Sequence, residues 1–282
     1  VNRWWMCDEG RIGFHQLNES ETRLAEPLAR VEGKLRSAQW DAIYGATAQR
    51  AKEIGAGGSA VLGLADTFAT NEELYVFQKL VCDALGGETA YFPLRPGRQQ
   101  QTPPRADVDP FIHTLITTDK SPNTAGALAL GLTGDEDDRR LRAAIKAGPK
   151  VVVILGNPLA GDAAVRKALR KAELIVSIAT FAGGWSEIAD VVLPGRTYAE
   201  KQGSYTNKAN RVQAIHPAIK PPEESRDQVE ILQQLMAALG KAPEGLGSPS
   251  AVFDAIGQEV GLFKGLTWDA LGALGAVAGE KG

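Results

Sequence analysis

The sequence predicts an α/β domain with a doubly wound, mostly parallel sheet and helices on both of its faces. Short apolar runs rich in β-branched residues recur along the chain, as in residues 151–155 (VVVIL), and segments with a helical apolar period separate them. Strands that are apolar throughout are typical of parallel sheets covered on both faces. The alternation of such strands with helices favours a sheet built from crossover connections.

Three regions follow one another along the chain. Residues 1–38 are predicted to be an extended, irregular lead-in, because Gly and Pro interrupt a stretch with frequent charges. Residues 39–240 are predicted to form a Rossmann-like domain. Residues 241–282 are predicted to contain short helices at the C-terminus and a flexible tail rich in Gly and Ala.

Length and period predict the elements of the central region. Strands are expected at the short apolar runs, residues 59–64, 89–92, 151–155, 174–178 and 188–193. Helices are expected where apolar residues recur at helical spacing, at residues 40–54, 135–147, 162–172 and 224–239, and residues 123–132 read as a short helix or a packed loop. A further helix is expected after Thr70, which forms a capping box with Glu73. Residues 95–109, rich in Pro, Gln and Arg, are predicted to be a loop.

Charge and composition argue against several functional classes. The 31 basic and 34 acidic residues give a formal net charge of -3, so no nucleic-acid-binding surface is predicted. The apolar runs are too short to cross a bilayer, which predicts no direct membrane insertion. Two cysteines fit a reducing compartment better than a disulfide scaffold. No signal peptide is visible. Because the chain does not begin with Met, we expect a processed or a cut chain with residues missing upstream.

A ligand would be expected at the edge where the parallel strands end. Four loops are predicted to meet there, at residues 65–70, 156–160, 179–185 and 194–197, because ligands of open α/β sheets bind at the carboxyl ends of the strands. These loops are rich in small and hydroxyl residues. Every doubly wound domain has such an edge, so its presence does not specify a ligand. No GxGxxG or GxxxxGK[ST] motif is present, which argues against a standard nucleotide cradle.

Three stretches of the sequence contain motifs that are more specific than its composition or apolar period. The first is residues 1–11 (VNRWWMCDEGR) with residues 23–28 (RLAEPL), and the second is residues 66–73 (DTFATNEE). The third runs from GNP at residues 156–158 through ADVVLP to EKQGSYTN and NRVQ, which ends at residue 213. Together these stretches resemble the molybdopterin oxidoreductase family over most of residues 1–240. Residues 123–131 (NTAGALALG) are most similar to the branch that serves respiratory NADH–quinone oxidoreductase (complex I) as its large iron–sulfur subunit.

The resemblance implies a metal-ligand role for Cys7. In this family the Cys of a Cys-Asp-x-Gly-Arg pattern is the last of four thiolates around a 4Fe-4S cluster, and Cys7 lies in that pattern. Four thiolates are the usual ligand set of such a cluster. This chain has only one other cysteine, Cys82. We therefore expect a cluster only in an intact parent with further cysteines upstream, and an unliganded thiol in the chain as it stands.

The resemblance also implies a set of cofactor-binding positions. Catalytic relatives hold a molybdopterin guanine dinucleotide at the sheet edge, and the matching residues here are Gly156, Asn157, Gly203, Thr206, Asn207 and Arg211. Gly permits close backbone approach, while Thr and Asn can bond phosphates and base edges. Turn chemistry explains the same residue types without a ligand, since Asn often bonds its own backbone.

Departures from the catalytic relatives argue against molybdenum chemistry. No Cys stands where a molybdenum ligand is expected, the second nucleotide domain is reduced to an insertion at residues 94–150, and no room remains after residue 240 for the domain that closes over the cofactor. These departures therefore argue against a bound molybdopterin guanine dinucleotide. No nucleophile–base pair is recognisable either, because the three histidines lack a distinctive context.

Three functional hypotheses remain open from the sequence. The first is a part of the large iron–sulfur subunit of NADH–quinone oxidoreductase that supports electron transfer towards quinone, with this domain mainly structural and the isolated chain inactive. Its partners would be other subunits of a respiratory complex, on the cytoplasmic side of the inner membrane as a peripheral part. The second is a fragment of a molybdopterin-dependent oxidoreductase such as formate dehydrogenase. The third is a non-redox scaffold or nucleotide-binding module.

Overall fold

The computed structural model describes residues 13–18, 21–55, 57–94, 119–134, 138–242 and 244–279. A seven-stranded sheet with helices on both faces forms its centre, which confirms the predicted α/β class. Cys7 and the predicted loop at residues 95–109 lie outside the described residues. No helix of the described ranges is both long and apolar enough to cross a membrane.

The large sheet is mostly parallel. In chain order its strands are β1 (Leu28–Val31), β2 (Lys34–Ser37), β3 (Val61–Ala65), β4 (Ala90–Tyr91), β5 (Val151–Leu155), β6 (Leu174–Ala179) and β7 (Val191–Pro194). Their spatial order is β2-β1-β7-β6-β5-β3-β4. Five neighbouring strands pair in parallel, in the spatial order β4, β3, β5, β6 and β7. Strand β1 is antiparallel to both of its neighbours, β7 and β2.

The middle of the sheet is buried on both faces, which explains why its strands are apolar throughout. Val151 pairs with Val61 on one side and with Leu174 on the other. Along β5, Val151 and Val153 belong to the apolar core of one face, while Val152 belongs to that of the opposite face. Because side chains alternate along a strand, an apolar residue is needed at every position.

The helices cover the two faces unequally. In chain order they are α1 (Trp40–Ile54), α2 (Asn71–Lys79), α3 (Thr124–Ala129), α4 (Arg139–Lys146), α5 (Ala163–Leu169), α6 (Gln228–Ala238), α7 (Pro249–Glu259) and α8 (Trp268–Leu271). A π-helical turn, Leu80–Ala84, continues α2, and short 3-10 turns occur at Gly13–Asn18, Gly184–Glu187 and Gly261–Phe263. Helices α1, α2 and α6 pack on one face, and α4 and α5 pack on the other.

Helix limits follow the sequence signals closely. Helix α1 spans the predicted residues and ends at Gly55, which has φ 60° in the left-handed region that suits glycine. The capping box before α2 is confirmed: the Thr70 side chain accepts from the backbone N–H of Glu73, and the Glu73 side chain accepts from that of Thr70. Within the described residues the predicted helix at 135–147 begins only at Arg139.

Two segments correct the sequence expectations at the ends of the chain. Residues 28–37, expected to be irregular, form the hairpin β1–β2, whose turn places Glu32 at φ 50° and Gly33 at φ 79°. The chain also forms a second, antiparallel sheet of three strands, β8 (Gly203–Thr206), β9 (Arg211–Ile215) and β10 (Ala276–Val277). The tail, expected to be flexible, supplies β10, which pairs with β9. Local sequence did not indicate β10 because its partner lies far away in the chain.

Candidate functional site at the carboxyl edge of the sheet

The chain reverses its direction across the sheet between β3 and β5. Strand β3 leads to β4 on one side, whereas β5 lies on the other side and leads on to β6. This point is where ligands of doubly wound folds bind, just beyond the carboxyl ends of the strands. Asp66 follows β3 and Gly156 follows β5, so both lie at this crevice.

Glycine is required at position 156 by a close approach to Asp66. Gly156 has φ 83°, and a Cβ atom placed there would lie 2.8 Å from the Cβ of Asp66. The backbone N–H of Asp66 donates to Leu155 (2.8 Å), and the N–H of Gly156 donates to Ile178 (2.8 Å). Three strand ends are thereby held together, and Asn157 is exposed beside them.

A buried hydrogen-bond network joins β8 to the start of α2. Asn71 Nδ2 donates to Ser204 Oγ and to Thr206 Oγ1, each at 3.0 Å. The backbone N–H of Thr206 donates to Asn123 Oδ1 (2.9 Å), and Asn123 Nδ2 donates to the carbonyl of Ala69 (3.1 Å). These residues are buried, so their polar groups need such partners inside the protein.

Two carboxylates of α2 complete this network. Glu72 accepts from both the backbone N–H (2.8 Å) and the hydroxyl (2.6 Å) of Ser204. Glu73 accepts from Lys201 Nζ, and both side chains of that ion pair are buried. Asp227, the N-cap of α6, interacts electrostatically with both members of the pair. One buried lysine is therefore shared by carboxylates from two helix N-termini, whose dipoles favour negative charge.

Burial shifts two of these carboxyl groups towards the neutral form. Loss of hydration raises the pKa of Glu72 from 4.5 to about 7, although hydrogen bonds from Ser204 oppose the shift. The same cause raises the pKa of Asp227 from 3.8 to about 6, and the nearby charge of Glu73 adds to it. Such shifts are common at functional sites but also occur in structural networks. Here every named contact is internal, which favours the structural interpretation.

The hairpin β8–β9 uses its predicted cofactor-binding residues for its own structure. Asn207 Oδ1 accepts from the backbone N–H groups of Ala209 (2.9 Å) and Arg211 (3.0 Å), which closes the turn. Arg211 Nη1 donates to the carbonyls of Leu274 (3.3 Å) and Gly275 (3.2 Å), so it holds β10 in place. Both side chains therefore serve the hairpin and the strand beside it.

Gly203 and Tyr205 bring the hairpin against the loop that follows β3. A Cβ atom on Gly203 would lie 2.5 Å from Thr70 Cγ2, so only glycine allows this contact. The hydroxyl of Tyr205 donates to the carbonyl of Phe68 (2.7 Å). Burial raises the pKa of Tyr205 well above its ordinary value.

The segment around Arg23 crosses the same edge of the sheet, and a buried ion pair with Glu200 holds it there. Arg23 Nη2 lies 2.5 Å from Glu200 Oε2, with side chains 9% and 5% exposed. The N–H of Leu24 donates to Thr180 (3.0 Å), and the N–H of Ala182 donates to Thr22 (2.6 Å). The segment around Arg23 thus covers the loop that follows β6.

The six predicted cofactor positions fall into two groups. Gly156 and exposed Asn157 lie at the crevice between the ends of β3 and β5, where a ligand could approach. The hairpin positions are engaged internally: Thr206 is fully buried, and the side chains of Asn207 and Arg211 bond a turn and a tail. The hairpin residues therefore do not fit a molybdopterin guanine dinucleotide in this arrangement.

The donor set for an iron–sulfur cluster is also incomplete in this chain. The sequence holds two cysteines, and a cubane cluster normally takes four. Cys82, half-buried in the π-helical turn, has its pKa raised by burial, which favours the thiol over the thiolate that binds iron. Within the described ranges no three metal-binding side chains come together.

The sequence did not predict the interior positions of Lys201, Glu200 and Arg23. Lys201 and Glu200 belong to the sequence motif EKQGSYTN, and Arg23 belongs to RLAEPL, but neither motif indicates burial. The one local signal was the Thr70–Glu73 capping box, which placed Glu73 at a helix start. Lysine and arginine are seldom fully buried, so their sequence context does not predict an interior position.

Sequence comparison finds similarity between this chain and oxidoreductases. Residues 119–238 match the family model described as molybdopterin oxidoreductase. The chain is 32% identical to the second G subunit of NADH-quinone oxidoreductase from Rhizobium meliloti, over 51% of its length and 17% of that protein. It is also 32% identical to the F420-dependent formate dehydrogenase subunit alpha of Methanocaldococcus jannaschii, over 43% of the chain and 19% of that protein.

Two further comparisons extend the range of relatives. The assimilatory nitrate reductase of Haloferax mediterranei is 39% identical over 39% of the chain and 16% of that protein. The fold is similar to that of acetylene hydratase from Pelobacter acetylenicus, with a TM-score of 0.56 and 11% identity over 94% of this chain and 67% of that one. The matched parts cover less than a fifth of each of the three curated relatives. Residues 119–238 of the chain thus match the molybdopterin oxidoreductase family, which the sequence motifs also resemble.

Proposed function

We propose that this chain is part of the large iron–sulfur subunit of a respiratory NADH–quinone oxidoreductase, and that its α/β domain has a structural role there. The similarity to a protein named as a G subunit of NADH-quinone oxidoreductase supports the assignment to this branch. One observation carries the structural role. The polar groups of Thr206, Asn207 and Arg211 are bonded within the protein, at positions that the family resemblance assigns to a cofactor.

The proposed partners are other subunits of the respiratory complex. Relatives are named as subunits of NADH-quinone oxidoreductase and of F420-dependent formate dehydrogenase, which supports a place in an assembly. We place the chain as a peripheral part on the cytoplasmic side of the inner membrane. In the intact parent, Cys7 would supply one thiolate to a 4Fe-4S cluster, which passes single electrons, while NADH is oxidised elsewhere.

Metal content of the purified assembly tests this function. The chain would be tagged in its natural host and purified with its partners, and iron and molybdenum would be measured by inductively coupled plasma mass spectrometry. We expect iron without stoichiometric molybdenum, together with NADH–quinone activity. Cys7→Ser should remove one cluster signal from the electron paramagnetic resonance spectrum, whereas Cys82→Ser should leave it unchanged. One molybdenum per chain would contradict the structural role.

A second candidate is a part of a molybdopterin-dependent oxidoreductase such as formate dehydrogenase. The similarity to a formate dehydrogenase subunit and the accessible Gly156–Asn157 turn favour it. Stoichiometric molybdenum with formate oxidation would select this candidate. A non-redox, nucleotide-binding module would instead be indicated by tight binding of GDP to the isolated chain in calorimetry.

A further inference from the structure

A cluster of basic side chains lies at the sheet edge opposite the candidate site. Residues 139–171 contain nine basic residues and one acidic residue, Asp162, although the whole chain has a formal net charge of -3. Five exposed members of this set, here called the basic corner, are Lys146, Lys150, Lys167, Arg170 and Lys171. A concentration of one sign in an overall acidic chain is a local feature that composition does not reveal.

The fold brings these five residues together. Arg142 Nη1 lies 3.7 Å from Asp162 Oδ2, which ties the beginning of α5 to α4. Each helix ends a few residues before one strand of the parallel pair β5–β6, so both helices end at the edge where these strands begin. Lys146 lies in the last turn of α4, and Arg170 and Lys171 follow α5. The N–H of Glu173 donates to the carbonyl of Lys150 (2.8 Å), so the starts of β5 and β6 join the helix ends at this corner.

Local interactions account for only part of this charge. Cations near a helix C-terminus are favoured by the dipole, which explains Lys146 and Lys167. Lys150 forms an exposed ion pair with Glu173 at 3.3 Å. The other four residues of the corner have no ion pair with any residue that the structure describes. Mutual repulsion among clustered like charges is unfavourable until an opposite charge covers them.

We propose that the basic corner docks an acidic surface of a different protein chain in the assembled complex. The inference rests on the proposed function, since it needs a partner subunit. A protein partner is favoured because relatives are named as subunits of larger oxidoreductases, and because the chain as a whole has no basic excess. Charge complementarity of this kind guides association and fixes orientation.

Lysine footprinting of the purified assembly tests the proposal. The assembly and the isolated chain would each be acetylated with a short pulse of sulfo-NHS-acetate, and the modification of every lysine would be measured by mass spectrometry. We expect Lys146, Lys167 and Lys171 to react roughly tenfold less in the assembly, because a charged interface excludes the reagent. Exposed Lys34, Lys220 and Lys264 serve as controls for general reactivity.

Zero-length carbodiimide cross-linking identifies what covers the corner. We expect cross-links from its lysines to carboxylates of another protein. Cross-links only to a second copy of this chain, or protection that disappears after nuclease or detergent treatment, would overturn the proposal. Full reactivity in an intact assembly would overturn it while leaving the proposed function in place. Elution of the tagged chain by itself would overturn both.

Charge reversal provides an independent readout. The triple variant Lys146→Glu, Lys167→Glu and Lys171→Glu should weaken association roughly tenfold or more, because like charges would then face each other. The matched control changes the net charge equally through Lys34→Glu, Lys220→Glu and Lys264→Glu. Equal association of both triple variants would contradict the proposal. Circular dichroism would verify that both variants remain folded.

Discussion

Lys201 places its ammonium group against the carboxylate of Glu73 in the interior, where the two side chains are 4% and 2% exposed. The pair joins the segment before β8 to the first turn of α2, so it fixes the second sheet to the main domain. Glu73 also accepts from the backbone N–H of Thr70 (2.9 Å), which satisfies its second oxygen. A buried pair with additional hydrogen bonds stabilises an arrangement mainly because separating its members is unfavourable.

Removing one member of this pair should be strongly destabilising. We expect Lys201→Met to lower the free energy of unfolding by about 3–5 kcal/mol, because Glu73 would be left as an unpaired buried charge. The double variant Lys201→Met, Glu73→Gln should recover part of that loss. Urea denaturation followed by circular dichroism measures both changes. Lys79→Met, which breaks an exposed pair with Glu259, is the control and should cost about 1 kcal/mol or less.

Substitution by alanine should destabilise the protein at Gly126 but not at Gly45, although both glycines lie in helices. A Cβ atom at Gly126 would overlap the side-chain oxygens of Asn71 and Asn123, which belong to the buried network. We expect Gly126→Ala to destabilise by about 1–3 kcal/mol. Gly45 lies in α1, and nothing comes within 4 Å of the point that a Cβ atom would occupy there. Gly45→Ala should therefore stabilise by about 0.5–1 kcal/mol, and equal effects of the two substitutions would contradict this account.

Stability should fall as the pH rises through the range in which Glu72 ionises. Its pKa is about 7 in the folded protein and 4.5 ordinarily, so the folded state binds this proton more tightly than the unfolded chain. The contribution is present below pH 4.5 and is lost as the pH rises through about 7. At about 1.4 kcal/mol per pH unit it amounts to about 3 kcal/mol at most.

Replacement of the titrating group tests that pH dependence. Glu72→Gln should flatten the decline in unfolding free energy between about pH 4.5 and 7. Asp227, with a pKa of about 6, should still contribute a smaller decline between pH 3.8 and 6. Urea denaturation at several pH values measures these slopes. Glu53→Gln, which removes an exposed carboxylate, is the control for the loss of one negative charge, and an unchanged slope in Glu72→Gln would refute the assignment.

Loss of the Arg23–Glu200 pair should release the lead-in from the carboxyl edge. We expect Arg23→Met to increase hydrogen exchange at the amides of Leu24 and Ala182, which bond across this contact. Amides of β5, inside the sheet, should keep their protection because their partners are unaffected. Exchange measured by mass spectrometry distinguishes the two regions. Arg50→Met, which removes an exposed pair with Glu53, should alter neither.

The central sheet and its flanking helices were largely predictable, because local sequence contains the necessary information. Strand β5 and helix α1 have the predicted limits, set by an uninterrupted β-branched run and by a helical period that ends at glycine. Strand β10 was missed because Val277 pairs with Arg211, far away in the chain, and its Gly- and Ala-rich surroundings have no strand pattern. The hairpin β1–β2 escaped prediction because its residues are mostly exposed or only half-buried.

In the candidate site, too, the sequence predicted some features, whereas the tertiary structure decided others. Apolar period, helix caps and turn residues in the sequence determined the fold class and the edge where the parallel strands end. The interior position of Lys201 and the internal bonds of Thr206 and Arg211 depended on the folded arrangement, since the partner of Lys201 is 128 residues away. A buried charge needs a partner, and here a distant segment supplies it, so no local pattern predicts the contact.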